Sequence, residues 1–218
     1  MAVPKKKALI MVDLQNDFCK GGQLAVPNAD EVIPLANQLQ PYFDIVVATQ
    51  DWHPPTHTSF ASNHSPYTVG DMIVADNIPQ ILWPDHCVQH TKGADFHPNL
   101  NVRYLDKVIH KGIDKNIDSY SAFFDNAHRR STGLGVYLQN KEISDVYIMG
   151  LATDYCVKYS SLDAKHLGFN VYVIQDACRG VNLKLGDVAA ALQEISECGA
   201  KLVTVRDIIG EDKKQVAL

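Results

Sequence analysis

Short apolar runs alternate with segments of helical period along most of the chain. The runs predict strands over 7–13, 45–49, 106–110, 145–149, 170–175 and 201–205, and the periodic segments predict helices over 28–40, 133–141, 154–168 and 184–198. Gly168 and Gly199 follow the last two helices, where a left-handed residue commonly ends a helix. Strands that are apolar throughout, separated by helices, predict an α/β fold: a doubly wound, six-stranded, mostly parallel sheet with helices on both faces. One stretch breaks the alternation. Between the second and third strands, about 50–105 is rich in His, Pro, Asn and Asp and has no clear period. Segments of that length are usually functional or disordered, and Trp52, Trp83 and their aromatic neighbours argue against disorder. The expected organisation is one domain over 1–218 with an irregular insertion at about 50–105.

Composition narrows the partners. The 218 residues are 46% hydrophobic and 21% charged, as in an ordinary globular protein, and 20 basic against 25 acidic side chains leave a net charge of −5. Nothing in that balance attracts nucleic acid or an anionic membrane; Lys5-Lys6-Lys7 reads as a solvated lead-in to the first strand. No stretch reaches the roughly 18 apolar residues of a membrane span, and no apolar leader of secretory type opens the sequence. Cys19, Cys87, Cys156, Cys178 and Cys198 are odd in number and widely spaced, which argues against a disulfide framework and for a reducing cytoplasm.

The chemistry-bearing residues fall at the ends of strands. Asp13 ends the first, Asp51 and His53 follow the second, Lys111 follows the third, and Cys156 lies where Gly150-Leu151-Ala152-Thr153-Asp154-Tyr155-Cys156-Val157 passes from strand to helix. In an open α/β sheet that edge is where ligands bind. Unpaired N–H groups of a first helical turn favour a thiolate and can receive an oxyanion, although a cysteine there is more often a small buried apolar residue. In Asp51-Trp52-His53 two donors project to one side of an extended segment, and His86 in Trp83-Pro84-Asp85-His86-Cys87 offers a third ligand. His57, His64 and His90 compete within the same stretch, whereas His97, His110, His128 and His166 are dispersed. Gln15-Asn16-Asp17-Phe18 reads as a capped turn that brings Phe18 near the pocket, and Trp83 and Tyr120 serve equally as core or pocket rings.

Taken together, Val12-Asp13-Leu14-Gln15-Asn16-Asp17-Phe18, Gln50-Asp51-Trp52-His53-Pro54, Trp83-Pro84-Asp85-His86-Cys87, His110-Lys111-Gly112 and the Gly150–Val157 block resemble, in order, the nicotinamidase (pyrazinamidase) group of the isochorismatase-like cysteine hydrolase superfamily. The resemblance implies Asp13, Lys111 and Cys156 as a catalytic triad, and Asp51, His53 and His86 as ligands of one divalent metal ion: zinc, iron or manganese. It further implies Phe18, Trp83 and Tyr120 around a pyridine ring, a cis peptide at Leu151-Ala152, and an oxyanion hole from the Ala152 and Cys156 N–H groups. The sequence departs from some relatives in having Ser59 where they have a fourth metal-binding histidine, which leaves open a role for Ser59 or a shifted His57.

The activity implied is hydrolysis of nicotinamide, and of pyrazinamide, to the acid and ammonia through a cysteine thioester, without an organic cofactor. Another small amide or an N-carbamoyl compound is the alternative substrate; isochorismate is disfavoured because its hydrolases in this superfamily lack the nucleophile. A thiol sensor is a weaker alternative, since no resolving cysteine is near in sequence. Oligomeric state is not legible here, and a homo-oligomer is compatible with the sequence.

Overall fold

A computed structural model describes residues 5–215, with side chains through 210. In chain order the elements are β1 (Lys6–Val12), α1 (Val32–Leu39), β2 (Ile45–Asp51), β3 (Met72–Ala75), β4 (Ile78–Ile81), β5 (Lys107–Lys111), α2 (Leu134–Asn140), β6 (Ile143–Leu151), α3 (Lys158–His166), β7 (Asn170–Arg179), α4 (Asp187–Glu197), β8 (Lys201–Val203) and α5 (Val205–Gln215). Six strands form one sheet in the order β5-β2-β1-β6-β7-β8, and every pairing in it is parallel. Ala8 through Val12 of the central β1 are fully buried, as expected for a strand covered on both faces, and they anchor one contiguous hydrophobic core. Val32, Ile33, Ala36 and Leu39 form the buried stripe of α1, at the spacing of an amphipathic helix. No helix among the described residues is long and apolar enough to cross a membrane.

The structure corrects the sequence reading at several places. The last strand stops at Val203 and not at 205, because Thr204 and Asp207 form a capping box: the Asp207 carboxylate accepts the Thr204 N–H at 2.8 Å, and Thr204 Oγ1 accepts the Asp207 N–H at 3.3 Å. That box starts α5, a helix the apolar run through Val205 concealed. The stretch read as irregular contains the antiparallel β3–β4 hairpin. The helix expected from residue 154 begins instead as a π-helical turn, Thr153–Val157, before α3.

Successive strands move outward from β1 to β2 and β5 on one side, and from β6 to β7 and β8 on the other. The reversal lies between β1 and β6, so a crevice opens at their carboxyl ends. Gly150 keeps these strands close: it has φ 118°, and a Cβ there would run into the backbone of Val12.

Candidate active site

Asp13, Lys111 and Cys156 meet in this crevice. Asp13 leaves β1 in the left-handed region (φ 51°), and Thr49 on β2 both donates its hydroxyl to Asp13 Oδ1 at 2.5 Å and accepts the Asp13 N–H at 3.1 Å. Lys111, at the end of β5, is 1% exposed. Its Nζ lies 2.8 Å from Asp13 Oδ2 and 3.3 Å from Cys156 Sγ, donates to the Ser119 carbonyl at 3.2 Å, and pairs with Asp51 Oδ1. Cys156 sits in the π-helical turn, where the Ala152 carbonyl accepts both the Tyr155 and the Val157 N–H groups at 3.1 Å. Such turns are frequent at functional sites. The Leu151–Ala152 peptide is cis, as the resemblance implied.

Electrostatics assign the protons. Burial raises the Asp13 carboxyl to about 6 against the pull of Lys111. Burial alone would discharge Lys111, but Asp13 and Asp51 hold its ammonium well above the usual range. Burial pushes the Cys156 thiol well above its usual value, and Lys111 offsets only part of this. Burial thus opposes the pull of the helix mouth toward a thiolate and favours the thiol form. A nucleophile in that state needs a base. The ligand atoms of Asp13 and Cys156, together with one of Asp51, all lie within 4.8 Å of one another, so Asp13 is in reach.

Asp51 joins this cluster to a second one. Its N–H and C=O are gripped at 2.8 Å each by the Gln15 side-chain amide, which fixes the carboxylate between Lys111 on one oxygen and two imidazoles on the other. Asp51 Oδ2 is 3.6 Å from His53 Nε2 and 3.8 Å from His86 Nε2. His53 Nδ1 lies 2.9 Å from the Gly112 carbonyl and His86 Nδ1 2.8 Å from the Pro84 carbonyl. A carbonyl only accepts, so each Nδ1 is a donor there and each Nε2 is the ring atom aimed at Asp51. The three ligand atoms lie within 4.8 Å of one another, which is a donor set that a metal ion can use. Gly112 (φ 63°) permits this, since a Cβ there would strike the His53 ring.

Ser59 and His57 stand behind that trio. His57 Nδ1 is 2.7 Å from Ser59 Oγ, and its ring packs 4.1 Å from that of His53; its ligand atom groups with His53 and Asp118 rather than with Asp51 and His86. His64 bonds the Thr58 carbonyl at 2.8 Å, and His90 packs edge-on against Trp52 at 5.3 Å, outside both clusters. Replacing His53 by alanine is expected to lower bound metal at least about tenfold while the secondary structure persists, measured by elemental analysis and circular dichroism.

Phe18, Trp83 and Tyr120 line one small cavity with Asp51, His86 and Cys156. Trp83 Nε1 donates to Tyr120 Oη at 3.2 Å, and the rings of Phe18 and His86 meet edge to face with centroids 5.5 Å apart. All nine side chains singled out for the triad, the metal and the ring thus converge.

The isochorismatase domain matches residues 7–207. The chain belongs to the isochorismatase family. Within it, the nicotinamidase of Escherichia coli strain K12 is 51% identical over 207 residues, which cover 92% of this chain and 96% of its own length. The solved structure of an Acinetobacter baumanii nicotinamidase/pyrazinamidase superposes with a TM-score of 0.91 at 45% identity, covering 94% of this chain and 99% of that one. A pyrazinamidase of Pyrococcus horikoshii in complex with zinc gives a TM-score of 0.75 at 36% identity, covering 91% and 99%.

Several residues of this isochorismatase-family site escaped the sequence reading. Thr49, Gln15 and Ser119 steer Asp13, Asp51 and Lys111, and Tyr155 adds a ring to the cavity, packed edge to face with Trp83 at a centroid separation of 5.0 Å. Asp17, read only as part of a capped turn, accepts the Cys87 N–H at 2.7 Å and so ties the His86 loop to the loop after β1. Tyr155 could have been found from its place beside Cys156, and Asp118 and Ser119 from the polar block Asp118-Ser119-Tyr120-Ser121 after β5.

Proposed function

We propose that this chain hydrolyses nicotinamide to nicotinate and ammonia, and accepts pyrazinamide as a close analogue. One observation carries the reading: a thiol, a carboxylate and an ammonium in mutual contact open into the same aromatic-lined cavity as an Asp/His/His donor set. An aromatic carboxamide with a ring nitrogen uses both halves. Asp51, His53 and His86 would hold a zinc, iron or manganese ion, which supplies a Lewis-acid point for the ring nitrogen. Phe18, Trp83 and Tyr120 would flank the ring, so that the amide carbon is presented to Cys156; orientation of this kind contributes several kcal/mol, up to about 7 or more in favourable cases.

Asp13 takes the proton from Cys156 Sγ as the sulfur bonds to the amide carbon. Lys111, already in contact with both groups, stabilises the thiolate as it forms. The carbonyl electrons move to oxygen, and the N–H groups of Ala152 and Cys156 receive the oxyanion, each such donor typically contributing about 3 kcal/mol. On collapse the C–N bond breaks, the nitrogen takes the proton held by Asp13, and ammonia leaves. A water molecule then gives a proton to Asp13 and adds to the thioester; the C–S bond breaks, sulfur recovers the proton, and nicotinate is released. No organic cofactor enters these steps.

A contiguous core supports reading the chain as one catalytic domain with an insertion at about 50–105. The five unpaired cysteines support a reducing compartment, the cytoplasm, and the net charge of −5 supports a small-molecule partner over nucleic acid. The decisive assay supplies nicotinamide, pyrazinamide and N-carbamoyl amides to the metal-loaded protein. Equimolar ammonia and nicotinate from nicotinamide, at the highest kcat/KM of the panel, is the expected result; a preference for the N-carbamoyl compounds would replace this reading with the alternative.

A further inference from the structure

The β3–β4 hairpin has no place in the steps above. Its turn, Asp76-Asn77, is left-handed at both residues (φ 50° and 66°), the two-residue connection that matches strand twist. Most of the hairpin faces outward, with Met72 61% and Val74 75% exposed, but Gln80 is only 1% exposed. The Gln80 side chain leaves β4 for the wall of the cavity: Nε2 donates to Asp118 Oδ2 at 3.3 Å and to Tyr120 Oη at 3.4 Å, besides the Ile81 carbonyl at 2.8 Å.

The segment it grips serves the site through each residue. The Asp118 carboxylate groups with His53 and His57, the Ser119 carbonyl accepts from Lys111 Nζ at 3.2 Å, and Tyr120 lines the cavity with its hydroxyl under Trp83 Nε1 at 3.2 Å. Gln80 therefore holds both ends of a three-residue span whose middle supports the catalytic ammonium. With Trp83 and Gln80 both donating to Tyr120 Oη, the phenol oxygen is fixed from two sides. The arrangement costs stability, because Gln80 Oε1 is buried without a hydrogen-bond partner. A methionine of the same length would leave no such atom, so packing alone does not account for glutamine here.

We propose that Gln80 is a positioning residue for the reaction: by holding Asp118 and Tyr120 it sets the separation of Tyr120 and Trp83 and hence the fit of the substrate ring. The inference rests on the nicotinamide reading and assigns the hairpin a part in it. The test compares the metal-loaded protein with Gln80→Met, Tyr120→Phe and the double variant, reading KM and kcat for nicotinamide and the melting temperature. Gln80→Met is expected to raise KM about tenfold, the loss of roughly one to two net hydrogen bonds, with kcat within about threefold and the melting temperature not lowered. In the Tyr120→Phe background it should add less than about twofold, because both changes release the same ring. An unchanged KM, or effects that multiply, would overturn the proposal. Should Gln80→Met be insoluble, Gln80→Glu keeps the length but replaces the donor with a carboxylate facing Asp118, and must raise KM for the proposal to stand. Absence of nicotinamide turnover in the unsubstituted protein would instead sink the reading beneath it.

Discussion

Replacing Cys156 by alanine is expected to lower nicotinamide turnover by about four orders of magnitude or more, while metal content and substrate binding persist. The size of the loss follows from the division of labour. Without sulfur no thioester forms, and the buried Asp13 and Lys111 are left facing an amide with no group able to attack it. Metal content should be unchanged because Cys156 is not among the Asp51, His53 and His86 ligand set. Binding should persist because the rings of Phe18, Trp83 and Tyr120 are untouched. Ammonia release, elemental analysis and calorimetric binding of nicotinamide check the parts separately. Turnover near that of the unsubstituted protein would remove sulfur from the mechanism.

Lys111→Met should damage catalysis and folding together. Lys111 contacts Asp13, Asp51 and Cys156 together and is buried among them. Removing it leaves two carboxylates side by side in a site with little access to water, which costs about 3–5 kcal/mol for a broken buried pair. The loss depends on pH in a definite direction. Without the ammonium, the folded state holds protons on these carboxylates that the unfolded chain has already released, so stability falls as pH rises above the ordinary carboxylate range. Urea unfolding at about pH 5 and about pH 8 should therefore show the larger deficit at the higher pH. Turnover should fall about a thousandfold, since an Asp13 that retains its proton cannot take one from a buried thiol. A variant with normal stability at both pH values would contradict the ion-cluster account.

What was legible in the sequence, and what was not, follows from where each signal lives. The inner strands were readable because a strand buried on both faces is a continuous apolar run, as Ala8–Val12 shows. Asp13, Asp51, Lys111 and Cys156 were readable because a charge or thiol at the end of such a run stands out against it. The β3–β4 hairpin was not, since its apolar residues face outward and carry no core period. Helix α5 hid behind Val203 and Val205, which continue the strand pattern across the capping residue Thr204. Thr49 and Gln80 were invisible for a different reason: each acts on a partner 36 to 40 positions away, and only the fold creates that proximity. The helix-mouth argument weighed the terminus beside Cys156 without the burial that opposes it, because burial is set by the fold and not by the local sequence.

Intact-mass spectrometry of the metal-loaded protein, acid-quenched during turnover of nicotinamide and followed by peptide mapping, addresses the central chemistry most directly. The account predicts a transient mass increase of one nicotinoyl group, confined to the peptide carrying Cys156 and absent from Cys156→Ala. Steady turnover with no acyl group captured at any quench time, or with the group on another residue, would contradict it.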